Sequence, residues 1–283
     1  MEPAKTQLDS QLNKAPTWRK IMRFYRYLKP GIWAMRLPWI GAWLQRVWIP
    51  EDGDANWFIP VNVKIPTGEQ MILPGQVVER LIQEAAGIFA MAACPCRMAF
   101  QCRQYPQGIG CLHLGTATYQ IPGDVGHLLE TEEALTHLHQ ALESGLIPTI
   151  LHMPSEAEIF DVDQTRMLSI CFCCECCCDV RLLLKEGPNR YWDEYNHHLP
   201  GVEVVVGENC TLCGSCGEVC YGGERVIQMG AERAEIGARC IGCGVCIPAC
   251  PEEAIEMKFD PQLDVVEALL AKVSERVQVG VDT

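Results

Sequence analysis

Several familiar chemistries are missing from this sequence of 283 residues. It has no Walker phosphate loop, and Gly108-Ile109-Gly110 with Gly115 lacks both the spacing and the following helix of a dinucleotide fingerprint. No C-x-x-C-H haem attachment is present. The seven histidines form no ligand or catalytic signature. His137 and His139 stand two apart on an expected helix, hence on different faces. His197-His198 reads as a surface pair in a polar loop beside Trp192 and Tyr195. Low-complexity tracts are absent. In the first fifty residues the longest uncharged stretch, Leu37 to Gln45, falls far short of the ~20 residues a spanning helix needs. Met1-Glu2-Pro3-Ala4-Lys5 leads into polar residues, so no secretory signal is expected and the thiols should be reduced, in the cytoplasm.

Positive charge is also scarce, with a net charge of −13. Nine Lys and Arg against Glu2 and Asp9 give residues 1–50 a net +7, leaving −20 on the rest. An acidic body repels phosphates, which argues against a nucleic-acid partner. It suits docking to basic redox proteins instead.

What the chain does have is cysteine, 18 in all. Disulfide scaffolds are short and secreted, with cysteine above roughly 8–10%. In a longer chain, metal-bound thiolates are the better reading. Cys210, Cys213, Cys216 and Cys220 keep C-x2-C-x2-C-x3-C spacing, and Cys240, Cys243, Cys246 and Cys250 keep it again thirty residues on. The repeat extends further, since Val226-Ile227-Gln228-Met229 matches Ala254-Ile255-Glu256-Met257, and Gly214 matches Gly244. Three cysteines on one tight loop wrap three corners of a cube, and a cysteine three residues on points away to a second cube. Cys210, Cys213, Cys216 and Cys250 are therefore expected to hold one [4Fe–4S] cluster, and Cys240, Cys243, Cys246 and Cys220 another. A pair of zinc sites is the alternative.

Residues 204–257 resemble the bacterial-type two-[4Fe–4S] ferredoxins, with Tyr221 in place of the proline usual after the fourth cysteine. The resemblance implies electron transfer. Upstream, Cys94, Cys96, Cys102 and Cys111 make a further set of four, expected to hold a third cluster, with zinc or unligated thiols as alternatives. Arg97 beside Cys96 reads as a charge partner for an anionic cluster or as a structural salt bridge. Residues 171–178 pack six cysteines into eight positions, where Cys171, Cys174 and Cys177 keep the spacing of three cube corners. Cys173 and Cys176 form another C-x2-C pair and Cys178 is spare. One or two further iron–sulfur clusters are expected from these ten. Over 75–257 the whole order is similar to multi-cluster ferredoxin-like proteins of anaerobic bacteria and archaea.

The expected fold class is α+β in four parts. A basic arm at 1–50 carries five of the seven tryptophans, and Pro30, Pro38 and Pro50 are expected to interrupt any long helix there. A mixed α/β cysteine-rich body follows at 51–200, the dicluster ferredoxin domain at 201–260, and a C-terminal helix and tail at 261–283. In the body, strands are expected at 57–63 and 70–73, and a helix over 76–86. A helix from Thr131 should carry Leu135, Leu138 and Leu142 and stop at Gly145. Leu146 to Leu151 is expected to be extended, with Pro148 keeping it off a central strand. A helix at about 261–277 should bury Val265, Val266, Leu269, Leu270 and Val273.

The leading expectation is an electron-transfer protein, or a subunit of a larger oxidoreductase complex, serving redox protein partners. Its rival is an oxidoreductase of thiol or disulfide reductase type with an atypical catalytic cluster at Cys171–Cys178. For the arm, three roles stay open: docking to a partner, peripheral membrane contact through residues 18–48, and packing on its own acidic body.

Overall fold

The structure is a computed structural model that describes residues 11–51, 53–60, 65–67, 70–72 and 74–280. Helix α1 (Pro16–Ala34) opens with Pro at its first position, where a missing N–H costs nothing. Asp124 Oδ2 accepts from the Thr17 amide and satisfies one orphan donor of this end. Pro30 lies inside α1 and the helix continues to Ala34, so the expected break does not occur. Helix α2 (Gly41–Trp48) follows after a turn containing Pro38.

The body then runs β1 (Ala55–Phe58), β2 (Ile65–Thr67), β3 (Gln70–Ile72), α3 (Pro74–Glu84), β4 (Ile88–Met91), α4 (Pro95–Ala99), β5 (Leu112–Leu114), β6 (Gly126–Leu128), α5 (Thr131–Glu143), β7 (Ile147–His152), α6 (Pro154–Phe160), β8 (Leu168–Cys173), α7 (Asp179–Glu186), α8 (Asn189–Tyr195) and β9 (Asn196–His197). The ferredoxin lobe adds β10 (Val202–Val206), α9 (Ser215–Val219), β11 (Ile227–Met229), β12 (Ala234–Ile236) and β13 (Ile255–Phe259), before the closing helix α10 (Val265–Ser274). The fold is α+β, as expected. Residues 61–63 and 73 of the expected strands lie outside the described residues.

A seven-stranded sheet in the order β6-β4-β5-β8-β7-β1-β9 organises the body, antiparallel throughout except for the β1–β9 pair. Contrary to expectation, β7 is an interior strand despite Pro148. The register explains it: β1 pairs with Thr149 to His152 only, so Pro148 stands beyond the end of that ladder, where one side has no partner to lose. The turn after α5 uses Gly145 at φ +75°, a left-handed conformation that suits glycine as a helix stop.

Strand alternation sorts side chains onto two faces. Ile88, Ala90, Leu112, Ile170 and Phe172 join α3, α5 and α10 in one core, which includes Leu138, Val266 and Leu269. Phe89 and Met91 pack on the other face with Trp18 and Ile21 of α1. Asp264 caps α10 by accepting from the Val266 and Glu267 amides, so this helix starts later than Pro261. It buries Val265, Val266, Leu269 and Val273, with Leu270 half-buried.

The ferredoxin lobe pairs β10 with β13 and β11 with β12, all antiparallel. The repeat seen in the sequence becomes two equivalent strands, β11 and β13. The lobe shares a core with the body, in which Leu151, Cys173 and Val180 meet Val204, Cys216 and Cys246.

Candidate metal centres

In the ferredoxin lobe, Cys210, Cys213, Cys216 and Cys250 line one cavity, together with Gly214 and Ala234. A second cavity is lined by Cys220, Cys240, Cys243 and Cys246, with Trp192 and Tyr221. The chain crosses over between halves, bringing the last cysteine of each repeat to the other repeat's loop. Gly214 and Gly244 have φ of +84° and +72°, the conformation that turns each loop back on its sulfurs. Leu212 occupies the slot of Gly242 and adopts the same conformation, at φ +57° against +70°. Backbone amides of Ala234 and Ala254 donate to the sulfurs of Cys210 and Cys250 at 3.4 and 3.3 Å. Burial first, and repulsion among sulfurs second, push the Cys246 thiol up to about 12. A cation reverses that shift by holding thiolates. Donor type and cavity fit an iron–sulfur cube at each place, and at the first the two amides fit it as well.

In the body, the four cysteines expected as one set do not assemble. Cys94, Cys96 and Cys111 lie together, whereas Cys102 joins Cys174, Cys176 and Cys177, whose sulfurs all fall within 4.8 Å of one another. Nor do Cys171, Cys174 and Cys177 act as three corners. The physical reason is the strand. β8 continues through Cys173, so its alternation sends Cys171 and Cys173 to the face opposite Phe172. The tight turn after it carries Cys174, Cys176 and Cys177 to Cys102 on the Phe172 side. Cys102 Sγ is 3.6 Å from Cys176 Sγ. Against burial, the Tyr105 and Gln104 amides hold the Cys102 thiol below its usual range. Four sulfurs this close suit a tetrahedral thiolate site, which zinc and iron both accept.

The other face holds the remaining six cysteines of the body. Cys111 and Cys171 sulfurs are 3.2 Å apart, and those of Cys173 and Cys178 are 3.3 Å apart. Cys94 touches both Cys96 and Cys111. The Cys96 thiol donates to Asp179 Oδ1 at 3.1 Å. Tyr25, reaching in from α1, donates to Asp179 Oδ2 at 2.9 Å and lies 3.2 Å from Cys96 Sγ. Thr149 donates to Cys173 Sγ at 3.5 Å.

Two buried guanidinium groups frame these centres. Arg97, 1% exposed, donates to the Pro106, Phe172 and Ile109 carbonyls. It lies near Cys94 and Cys111 on one side and Cys174 on the other, and no carboxylate pairs with it among the described residues. Arg181 is buried with none of its three nitrogens hydrogen-bonded. Its guanidinium lies 4.2 Å from the Tyr221 ring centre, with Cys173, Cys178 and Cys243 close by. Tyr221 thus supplies an aromatic face where the ferredoxin pattern has proline.

Beside Tyr25 and Asp179 a cavity of about 570 Å³ opens under α1, bordered also by Asp54, Glu156 and Tyr191. Burial there raises Asp54 from 3.8 to about 6 and Glu156 from 4.5 to about 7. Sequence reasoning missed Tyr25, Asp179 and Arg181, which no local motif marks. It left Cys173, Cys176 and Cys178 unassigned: Cys176 meets the distant Cys102, and Cys173 meets Cys178 across a turn that the spacing does not mark.

Among known families, residues 237–256 match the model of the 4Fe-4S binding domain. No solved structure matches the chain. The family match falls on the loop carrying Cys240, Cys243, Cys246 and Cys250, and with the clustered cysteines it gives the chain an iron–sulfur, ferredoxin-type domain with an electron-transfer role.

Proposed function

We propose that this protein is an electron relay carrying two [4Fe–4S] clusters in its ferredoxin lobe and a third metal–thiolate centre in its body. Cys210, Cys213, Cys216 and Cys250 hold one cube; Cys220, Cys240, Cys243 and Cys246 hold the other. Cys102, Cys174, Cys176 and Cys177 bind the third centre. The observation that carries this reading is the pair of four-cysteine cavities, each drawn from both repeats. When bound, the clusters supply one-electron exchange. The chain's own residues hold the thiolates, exclude water with Trp192, Val204 and Ile241, and place amides and Arg181 where they favour added negative charge. Anaerobic iron and sulfide counting tests the reading. Eight irons from the ferredoxin lobe are expected, and Cys216→Ala should remove about four of them, one cube's worth. Stoichiometric zinc in place of that iron overturns it.

The electrons are exchanged with a redox protein, as part of a larger oxidoreductase complex. Support comes from the arm, where residues 11–50 contain no Asp or Glu. Trp33, Trp39 and Trp43 there are 63%, 95% and 62% exposed. Among the described residues no helix is long and apolar enough to cross a membrane. Trp39→Ala with Trp43→Ala should abolish co-purification of the partner and leave iron content unchanged. Unchanged co-purification, or transfer of the lost association to anionic vesicles, counts against a protein partner.

A second reading, an oxidoreductase with its catalytic centre near Cys171–Cys178, is favoured by one observation, the cavity that reaches Asp179 and Tyr25.

A further inference from the structure

The six body cysteines that lie outside the four-cysteine set form a ring of two contacting runs, Cys96–Cys94–Cys111–Cys171 and Cys173–Cys178. Cys94 meets Cys111, Cys111 meets Cys171, and Cys173 meets Cys178. Cys96 meets Cys94, Cys171 and Cys173 share one face of β8, and Asp179, which follows Cys178, accepts from the Cys96 thiol. Four separate segments contribute: the turn into α4, the entry to β5, the end of β8 and the entry to α7. Each has its own reason to be there. Pro95 fixes the corner between Cys94 and Cys96, strand alternation aims Cys171 and Cys173 at one face, and the start of α7 returns Cys178 to that face.

The charge around the ring calls for an anion. Arg97 and Arg181 are both buried, and among the described residues neither is paired with a carboxylate. The Arg181 guanidinium makes no hydrogen bond. An unpaired buried cation costs several kcal/mol, so a compensating negative group must lie within reach. Asp179 makes no hydrogen bond to either arginine, its oxygens accepting from Tyr25, Cys96 and the Val180 amide instead. Each guanidinium also borders another centre, Arg97 at Cys174 and Arg181 at Cys243, and what the two share is the ring: Cys94, Cys96 and Cys111 beside Arg97, and Cys173 and Cys178 beside Arg181.

We infer that the Cys94–Cys96–Cys111–Cys171–Cys173–Cys178 ring binds a polynuclear metal–sulfur cluster, separate from the Cys102 centre across the sheet. Six thiolates exceed what one tetrahedral ion takes, and the ring is spread wider than the compact Cys102 set. A cluster of several irons bridged by sulfide uses such a perimeter and places delocalised negative charge beside both arginines. Tyr25 closes the ring on its cavity side, with its hydroxyl on Cys96. The inference rests on the iron–sulfur reading of the chain.

The test uses the full chain, isolated anaerobically, with iron and acid-labile sulfide counted. Cys111→Ser and Cys173→Ser should each lose the same pool of iron and sulfide, and the double variant should lose no more than either alone. The Cys102→Ala variant should keep that pool. Unchanged iron and sulfide in both serine variants overturns the proposal, as does loss of a single metal atom with no sulfide. Tyr25→Phe, which keeps the ring's shape, gives an independent reading. It should keep full iron content while shifting the absorption and EPR spectra of the pool missing from Cys111→Ser, and unshifted spectra count against the assignment. Absence of iron from the ferredoxin lobe is a different failure, of the relay reading; iron present there with no response to the ring variants sinks this inference alone.

Discussion

The ferredoxin lobe and the body solve the same problem, gathering cysteines into groups, by opposite means. In the lobe, three of every four cysteines around a cavity sit on one seven-residue loop, and the fourth arrives through a repeat of the same loop. In the body, each group of cysteines draws on segments about 75 to 85 residues apart, and a β-sheet decides which sulfur goes where. Local spacing builds the first kind of site; tertiary structure builds the second. The lobe's sites should therefore survive damage that empties the body's.

The largest expected effect follows from that contrast. Leu138 is fully buried in the core under the sheet. Leu138→Ala should cost about 2–5 kcal/mol through lost burial and a cavity. Anaerobic metal analysis after mild urea should then find the body's metal lost and the lobe's eight irons retained. Simultaneous loss from both regions would erase the distinction.

Arg181 is the point where the two regions meet, so its replacement asks whether they are electrically joined. Arg181→Met removes a buried positive charge near Cys243 but not near Cys213. A cation favours the reduced, more negative cluster. The centre of Cys220, Cys240, Cys243 and Cys246 should therefore move to lower potential while the Cys210 centre stays put. Protein-film voltammetry resolves the two, and equal shifts at both would refute the arrangement.

How much of this was open to reading beforehand differs by region in the same way. The grouping of the eight ferredoxin cysteines could be traced on the sequence, because spacing on a tight loop nearly determines geometry, and each foursome lines one cavity. The helices at 74–84, 131–143 and 265–274 were visible from their apolar stripes. The partition of the ten upstream cysteines was not visible. Regular C-x2-C spacing from Cys171 suggested one loop, but β8 runs on to Cys173 and alternation overrides the spacing. Tyr25 was hidden for a similar reason, being one aromatic among many in a segment whose tertiary contacts alone mark it. Pro148 misled because what matters is whether a neighbouring strand reaches it, and β1 stops one residue short.

Acidity gives a third probe, confined to the body. The folded state raises Glu156 from 4.5 to about 7 by burial, so the native protein holds this proton more tightly than the unfolded chain. Stability contributed this way is fully present below about pH 4.5 and is lost as pH rises toward 7. Glu156→Gln, which keeps an acceptor for the Ser169 hydroxyl, should flatten that decline. Denaturant melts of anaerobic holoprotein at pH 5 and pH 8 measure it, and an unaltered pH slope would show the carboxyl to be solvated.

A smaller effect is expected at Leu212, whose left-handed backbone is taken by glycine in the other repeat. Leu212→Gly should relieve roughly 1 kcal/mol of local strain and slow iron loss from the Cys210 centre under oxygen. Faster loss would mean that the leucine side chain shields the cluster more than its conformation costs.

The sorting of cysteines by the sheet is tested most directly by metal loss in paired variants. Cys102→Ala, Cys176→Ala and Cys96→Ala are each compared with their doubles, counting iron, zinc and sulfide in anaerobic protein. The doubly substituted Cys102/Cys176 protein should lose no more metal than either single variant, since both sulfurs serve one centre. The Cys102/Cys96 protein should lose the sum of its two singles, since those sulfurs serve centres on opposite faces. If Cys102→Ala and Cys96→Ala instead remove one and the same metal pool, the cysteines group by their order in the sequence and the sheet does not sort them.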